Sequence, residues 1–135
     1  MGQSMSINCI IVTPEDTALD EKCDFVAVPL YDGEIGIYPG HSPMIGRLGF
    51  GELRIKVGPS SQRYYIDGGF VQVADDVVSV LTNRAIPASS VDGEAAQEQL
   101  QQANGRRANT PELMEIRDRL IEQARAQIRV AHRVS

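Results

Sequence analysis

The 135-residue chain has no tryptophan, two cysteines and two histidines, and no run near the ~18 consecutive apolar residues that a membrane-spanning helix needs. The missing apolar run excludes a helical anchor, so any membrane association is expected through a partner. Met1 to Ser6 has neither a basic start nor an apolar stretch, so no secretory signal and cytosolic synthesis are expected. Cys9 and Cys23 lie in apolar, strand-like segments without CxxC spacing or a nearby histidine, which predicts reduced, buried thiols rather than a disulfide or metal pair. His132 has no second ligand one turn away and His41 has no positioned partner, so no zinc site or catalytic triad is expected, and no GxSxG surrounds Ser42. No Walker lysine is present, and Gly49-Phe50-Gly51 leads into a strand rather than from a strand into a helix, as a dinucleotide site would require. Asp75 and Asp76 are adjacent, which on a strand sends their carboxylates to opposite faces and predicts a solvated hairpin turn. The Phe and Tyr residues all lie in the acidic part of the chain, away from the basic tail, so nucleic-acid binding is not expected. No active site, cofactor or metal emerges from these residues.

What is present is a division of charge. Residues 1–104 carry six Lys and Arg against fourteen Asp and Glu, whereas residues 105–135 carry seven Arg against four acids. The overall charge of −5 therefore conceals a basic end on an acidic protein, and a basic end calls for an acidic partner, within the chain or outside it. At this length one domain, or a small domain with an appendage, would bury about two-thirds of its unfolded surface.

The stretch from Asp32 to Pro43 organises the first part. Asp32-Gly33 has the composition of a tight hairpin turn with φ > 0 at both positions, and Pro39-Gly40 that of a type II turn. Between them lies a short apolar strand, with Glu34 and His41 near its two ends. From Ser6 to Leu81 the apolar period is two, with turn signals every eight to twelve residues, which predicts an antiparallel sandwich or barrel without helices. Strands are expected over Ile7–Val12, Ala18–Cys23, Phe25–Leu30, Glu52–Val57, Gln62–Ile66, Phe70–Val73 and Val77–Leu81. Pro29 is expected at an edge or strand end. In Glu52–Val57 strict alternation places Leu53, Ile55 and Val57 inside and Glu52, Arg54 and Lys56 outside, while Asp67-Gly68-Gly69 reads as a turn.

At Ala85 the period changes. A first helix is expected over Val91–Asn104, capped by Ser89 or Ser90 and stopped at Asn104-Gly105, with Ala96, Leu100 and Ala103 on one face. A second starts with Thr110 as cap and Pro111 at its first position and carries Leu113, Ile116, Leu120, Ala124, Ile128 and Ala131 as a stripe over about 33 Å. The narrow, alanine-rich faces suit a thin antiparallel pair that can lie on the sandwich or leave it. Arg125, Arg129 and Arg133 share a separate face and are expected to be free for another partner. The division expected is 1–86 for the sandwich and 87–135 for the helical hairpin.

Gly33-Glu34-Ile35-Gly36-Ile37-Tyr38-Pro39-Gly40-His41-Ser42-Pro43, then Gly51-Glu52-Leu53-Arg54-Ile55, Gly68-Gly69-Phe70-Val71-Gln72-Val73 and, near the end, Ala126-Gln127-Ile128-Arg129-Val130 resemble the epsilon subunit of F-type ATP synthase in order and spacing. The resemblance implies a β-sandwich of about ten antiparallel strands followed by an antiparallel two-helix hairpin. It also implies a non-catalytic subunit of the central stalk, monomeric in isolation, held at the cytoplasmic face of the bacterial inner membrane through its partners. Those partners are the gamma subunit, the c subunits of the rotor ring and the beta subunit of the catalytic head. Asp32 and Glu34 map onto the rotor-ring contact, His41 onto the gamma contact, and Arg125, Arg129 and Arg133 onto a contact with beta through which the extended hairpin blocks ATP hydrolysis. An alternative is an ATP-binding sensor on the same scaffold. Members that bind ATP carry Ile/Leu-Asp-x-x-Arg-Ala at the first helix; this chain reads Val91-Asp92-Gly93-Glu94-Ala95-Ala96, with alanine in the arginine position, so weak or no nucleotide binding is expected.

Overall fold

The computed structural model describes residues 6–133, so the reading of the first residues as free of a secretory signal falls, as far as Met5, outside the described residues. Among the described residues eight strands precede the helices: β1 (Ile7–Val12), β2 (Thr17–Cys23), β3 (Phe25–Leu30), β4 (Gly33–Ile37), β5 (Met44–Val57), β6 (Ser60–Ala74), β7 (Val77–Leu81) and β8 (Ala85–Pro87). They hydrogen-bond in the order β2-β1-β7-β6-β5-β3-β4, with β8 added to β6. This continuous ladder folds over on itself. Gln62, near the start of β6, reaches back to Glu21 on β2 at 3.1 Å, so β2, at one end of the ladder, faces the middle of the ladder and the layers close as a sandwich.

The core lies between the layers and follows from alternation. Ile7, Cys9 and Ile11 of β1 point inward while Asn8, Ile10 and Val12 do not. They meet Val26 and Val28 of β3, Leu53 and Ile55 of β5, Ile66, Val71 and Val73 of β6, and Val78 and Val80 of β7. Beta-branched residues dominate because they pack well on a pleated surface.

Three expectations about the sheet require correction. The pairing is not wholly antiparallel: β1 and β7 run parallel, from Asn8 opposite Val77 to Val12 opposite Leu81. Asp67-Gly68-Gly69 does not turn the chain but bends it within β6, which continues beside the similarly long β5. Gly68 and Gly69 have φ of +73° and +109°, and a Cβ on Gly69 would overlap the Leu81 carbonyl, so glycine here replaces a turn by a kink that passes one strand between layers. Divided at that bend, β5 and β6 account for the difference between eight strands and about ten. Finally, the β3–β4 loop is Tyr31-Asp32, not Asp32-Gly33: Leu30 pairs with Gly33, and only Gly33 of the two expected residues has positive φ. Pro29 lies where the β3–β5 register breaks between Ala27 and Leu30, so its missing N–H interrupts no regular ladder.

After a 3-10 turn over Ala88–Ser90 come α1 (Gly93–Asn104) and α2 (Pro111–His132). The cap of α1 is Asp92, whose Oδ1 accepts from the Ala95 N–H at 3.0 Å, rather than Ser89 or Ser90, which themselves belong to the 3-10 turn. Thr110 caps α2 as expected, accepting from the Leu113 N–H at 3.2 Å, with Pro111 in the first turn. The helices run antiparallel, with Gly93 at the start of α1 against Ala131 and His132 near the end of α2.

Candidate functional site

The turn at Pro39-Gly40 is built as its residues require. Gly40 has φ of +84°, the His41 N–H donates to the Tyr38 carbonyl at 3.2 Å, and the Gly40 N–H donates to Asp76 Oδ1 at 2.7 Å. Asp75 and Asp76 form the β6–β7 hairpin with φ of 50° and 61°, and Asp76 thereby anchors the neighbouring turn as well. His41 is half-buried, its Nδ1 2.7 Å from the Ser42 carbonyl. Asp32 and Glu34 are exposed on the β3–β4 hairpin, and Glu34 pairs with Arg54 of β5 at 3.4 Å. Beside them Tyr31 lies exposed under the Arg47 guanidinium.

A row of exposed apolar residues crosses the outer face of the same layer. Phe70 pairs directly with Leu81 and with Arg47, and Ile45 lies two residues along β5 from Arg47, so Ile45, Phe70 and Leu81 share one face. These side chains are 76%, 58% and 52% exposed. Large apolar groups gathered on one face mark an interaction surface more often than isolated ones do.

The helical hairpin rests on the outer face of β5 and β6, over residues that alternation alone assigns to solvent. Its apolar part is small: Tyr65, Ala126 and Val130 are buried there, with Phe50, Ile86, Ala88 and Val91 packed around them. The rest is polar. Asp67, 6% exposed, accepts from the Tyr65 hydroxyl at 2.6 Å and from Gln123 Nε2 at 2.7 Å, with Arg84 Nε at 3.4 Å. Burial first, and the Asp67 carboxylate second, push the Tyr65 hydroxyl above the usual tyrosine range, which keeps the proton it donates. Gln99 of α1 ties the two helices together by donating to the Leu120 carbonyl at 2.9 Å and to Gln123 Oε1 at 3.0 Å.

At the far end Glu52 accepts from Arg63 and Arg133, each at 2.7 Å. This corrects two expectations. Glu52 takes the outer face as expected but is covered by the hairpin instead of water, and Arg133 does not share the free status expected for the arginine face. Arg125 and Arg129 are exposed and line a shallow concavity of about 520 Å³ with Asp118, Ile121 and Glu122. The α2 stripe accounts for only part of what is buried: Ala126, Gln127 and Val130 form a second face, turned to the sandwich. Small and polar residues at helical spacing leave no hydrophobic signal, so this contact surface was not legible.

Cys9 and Cys23 are buried, unpaired and directed into the core. Burial pushes their thiols up to about 12 and about 11 respectively. Among the described residues, no group of three or more His, Cys, Asp or Glu is placed to hold a metal ion, and no helix is long and apolar enough to cross a membrane.

Residues 6–88 match the family model described as ATP synthase, Delta/Epsilon chain, beta-sandwich domain. The chain belongs to this family. It is 50% identical over 127 residues to the ATP synthase epsilon chain of Rhodopirellula baltica, covering 94% of this chain and 99% of that protein. The epsilon chain of Rubrobacter xylanophilus is 34% identical over 111 residues, or 82% and 76% of the two. Epsilon-chain relatives thus extend past the sandwich into the helices. In fold the chain resembles a chain of the Euglena gracilis mitochondrial ATP synthase, solved with OSCP, F1 and c-ring, with a TM-score of 0.86 at 21% identity over 98% of this chain and 85% of that one. A chain of the Tetrahymena thermophila central stalk and c-ring superposes with a TM-score of 0.74 at 14% identity, covering 96% and 99%.

Proposed function

We propose that this epsilon-family chain is the non-catalytic epsilon subunit of the ATP synthase central stalk, linking gamma to the rotor ring and restraining ATP hydrolysis through its helical hairpin. Residues 1–86 form the docking domain and residues 87–135 the regulatory one. The observation that carries this reading is the exposed row of Ile45, Phe70 and Leu81 on the sandwich. An apolar face of this kind calls for a protein partner, and we assign it, with His41, to gamma. The acidic Asp32 and Glu34 meet the polar loops of the c subunits. Arg125 and Arg129, joined by Arg133 once the hairpin leaves Glu52, meet an acidic segment of beta. The subunit is then peripheral to the membrane on its cytoplasmic side, coupling proton flow to synthesis through its partners.

Gly40→Val tests the docking domain. At φ of +84° a β-branched residue is strained by about 1–3 kcal/mol although the space around it is open, so the turn should shift without disturbing the core. Reduced co-assembly with gamma and the ring is expected, and co-assembly equal to the parent's would remove the turn from the interface. Deleting everything after Ala88 tests the hairpin. The assembled enzyme should still synthesise ATP, while any inhibition of its hydrolysis disappears.

A further inference from the structure

The sandwich supplies part of the end of α2. The last carbonyls of a helix have no donors of their own. Here Val130 O accepts from Arg63 Nη2 at 3.0 Å and Arg133 O from Arg63 Nη1 at 3.3 Å. Arg63 is fixed by Glu52, its Nε 2.7 Å from Oε1. The other oxygen, Oε2, takes Arg133 Nη1 at 2.7 Å. Glu52 and Arg63 stay together on adjacent strands whatever the helix does; Arg133 alone changes sides.

Glu52 Oε2 has a second suitor. Arg54 Nη1 lies 3.7 Å from it and 3.4 Å from Glu34 Oε2 on β4. A line of alternating charge thus runs from Glu34 through Arg54 and Glu52 to Arg133, joining the exposed acidic hairpin to the end of α2. We infer that this line couples the two surfaces: a donor that occupies Glu34 releases Arg54 toward Glu52, where it competes with Arg133 and loosens the docked hairpin. The ligand class at Glu34 is a cationic or amide-bearing loop. Its identity as the rotor ring rests on the proposed function, but the coupling does not. Linkage makes the effect reciprocal, so undocking the hairpin returns Arg54 to Glu52 and leaves Glu34 freer for its partner.

Hydrogen exchange of α2 amides in the full chain, without partners, tests the relay. Glu34→Gln stands in for an occupied Glu34 and should speed exchange near the end of α2 about threefold to fivefold, the range an exposed ion pair can move. Glu52→Gln should speed it about tenfold, because charge-assisted bonds to Arg133 and to the Arg63 clamp are lost. Arg54→Gln should exchange no faster than the parent, and the Glu34→Gln/Arg54→Gln double variant should match Arg54→Gln alone. If the double variant is as fast as Glu34→Gln, or Arg54→Gln itself loosens the helix, Arg54 is not a competitor and the relay is overturned. Arg133→Gln, at the exposed end of α2, supplies the undocked reference should Glu52→Gln fail to fold. Reduced co-assembly of Glu34→Gln with the rotor ring bears on the assignment of Glu34's partner separately.

Discussion

The two buried surfaces of this molecule are built from opposite materials. Between the sheet layers lie mainly Ile, Val and Leu, with Cys9 and Cys23 among them. Between sandwich and hairpin lies a small apolar group, with only Tyr65, Ala126 and Val130 buried and Phe50, Ile86, Ala88 and Val91 packed around them, bordered by Glu52, Arg63, Asp67, Gln123 and Arg133. An apolar core loses its whole transfer free energy when opened, at about 25 cal/mol per Å². A polar contact exchanges its partners for water, so its net contribution is only about 0.5–1.5 kcal/mol per neutral bond. The first surface specifies a fold; the second is the one that the proposed function requires to part and re-form while the fold stays intact.

Breaking the comparison at its strong side should give the largest effect. Ile55→Ala, at a fully buried position between the layers, should cost about 2–5 kcal/mol, read from the urea midpoint with unchanged slope. Alkali attacks the same core through its thiols. Cys9 and Cys23 are held protonated by burial, above their ordinary value of 9.0, so the stability they contribute is complete below pH 9 and is lost as pH rises toward 11 and 12. Unfolding midpoints should be level to about pH 9 and then fall. Tyr64 and Tyr65, also raised chiefly by burial, should steepen the fall from about pH 10. In a Cys9→Ala/Cys23→Ala variant the onset should move to the tyrosine range; an onset still at pH 9 would acquit the thiols.

At the weaker surface, Gln123→Ala removes a donor from the buried Asp67 carboxylate and should cost the docked state about 1–3 kcal/mol. The expected signature is faster amide exchange throughout both helices with none in β5 to β7; loss of protection in the strands as well would make the hairpin part of the folding core. The smallest effect belongs to Arg125 and Arg129. Exposed pairs contribute about 0–1 kcal/mol each, so reversing either charge should alter inhibition of ATP hydrolysis little, and reversing both more than additively only at low salt. Arg133 must be left out of that test, because it also holds the docked state.

Strand periodicity, the capping of α2 by Thr110, the turn at Pro39-Gly40 and the motifs around Glu34 to Pro43 were all readable from local residues, since each depends on neighbours a few positions away. The length of β6 was not. A glycine pair serves a tight turn and a kinked strand equally well, and only the neighbouring Leu81 carbonyl, which leaves no room for a side chain, distinguishes the two uses here. The parallel pairing of β1 with β7 joins residues some seventy apart, beyond the reach of any periodicity.

The candidate site divides the same way. Asp32 and Glu34 stand on a hairpin whose exposure follows from its own turn, so the sequence alone determined that they face outward; His41, in the next turn, is half-buried. The sequence also determined that the chain has a sandwich, a hairpin and a basic end. Whether a charge such as Glu52, Asp67 or Arg133 meets water or another charge was decided only by the docking of one element on another. Alternation shows which side of a strand a residue takes; what covers that side depends on tertiary packing, and here the cover is a helix whose contact face is written in alanine, glutamine and arginine.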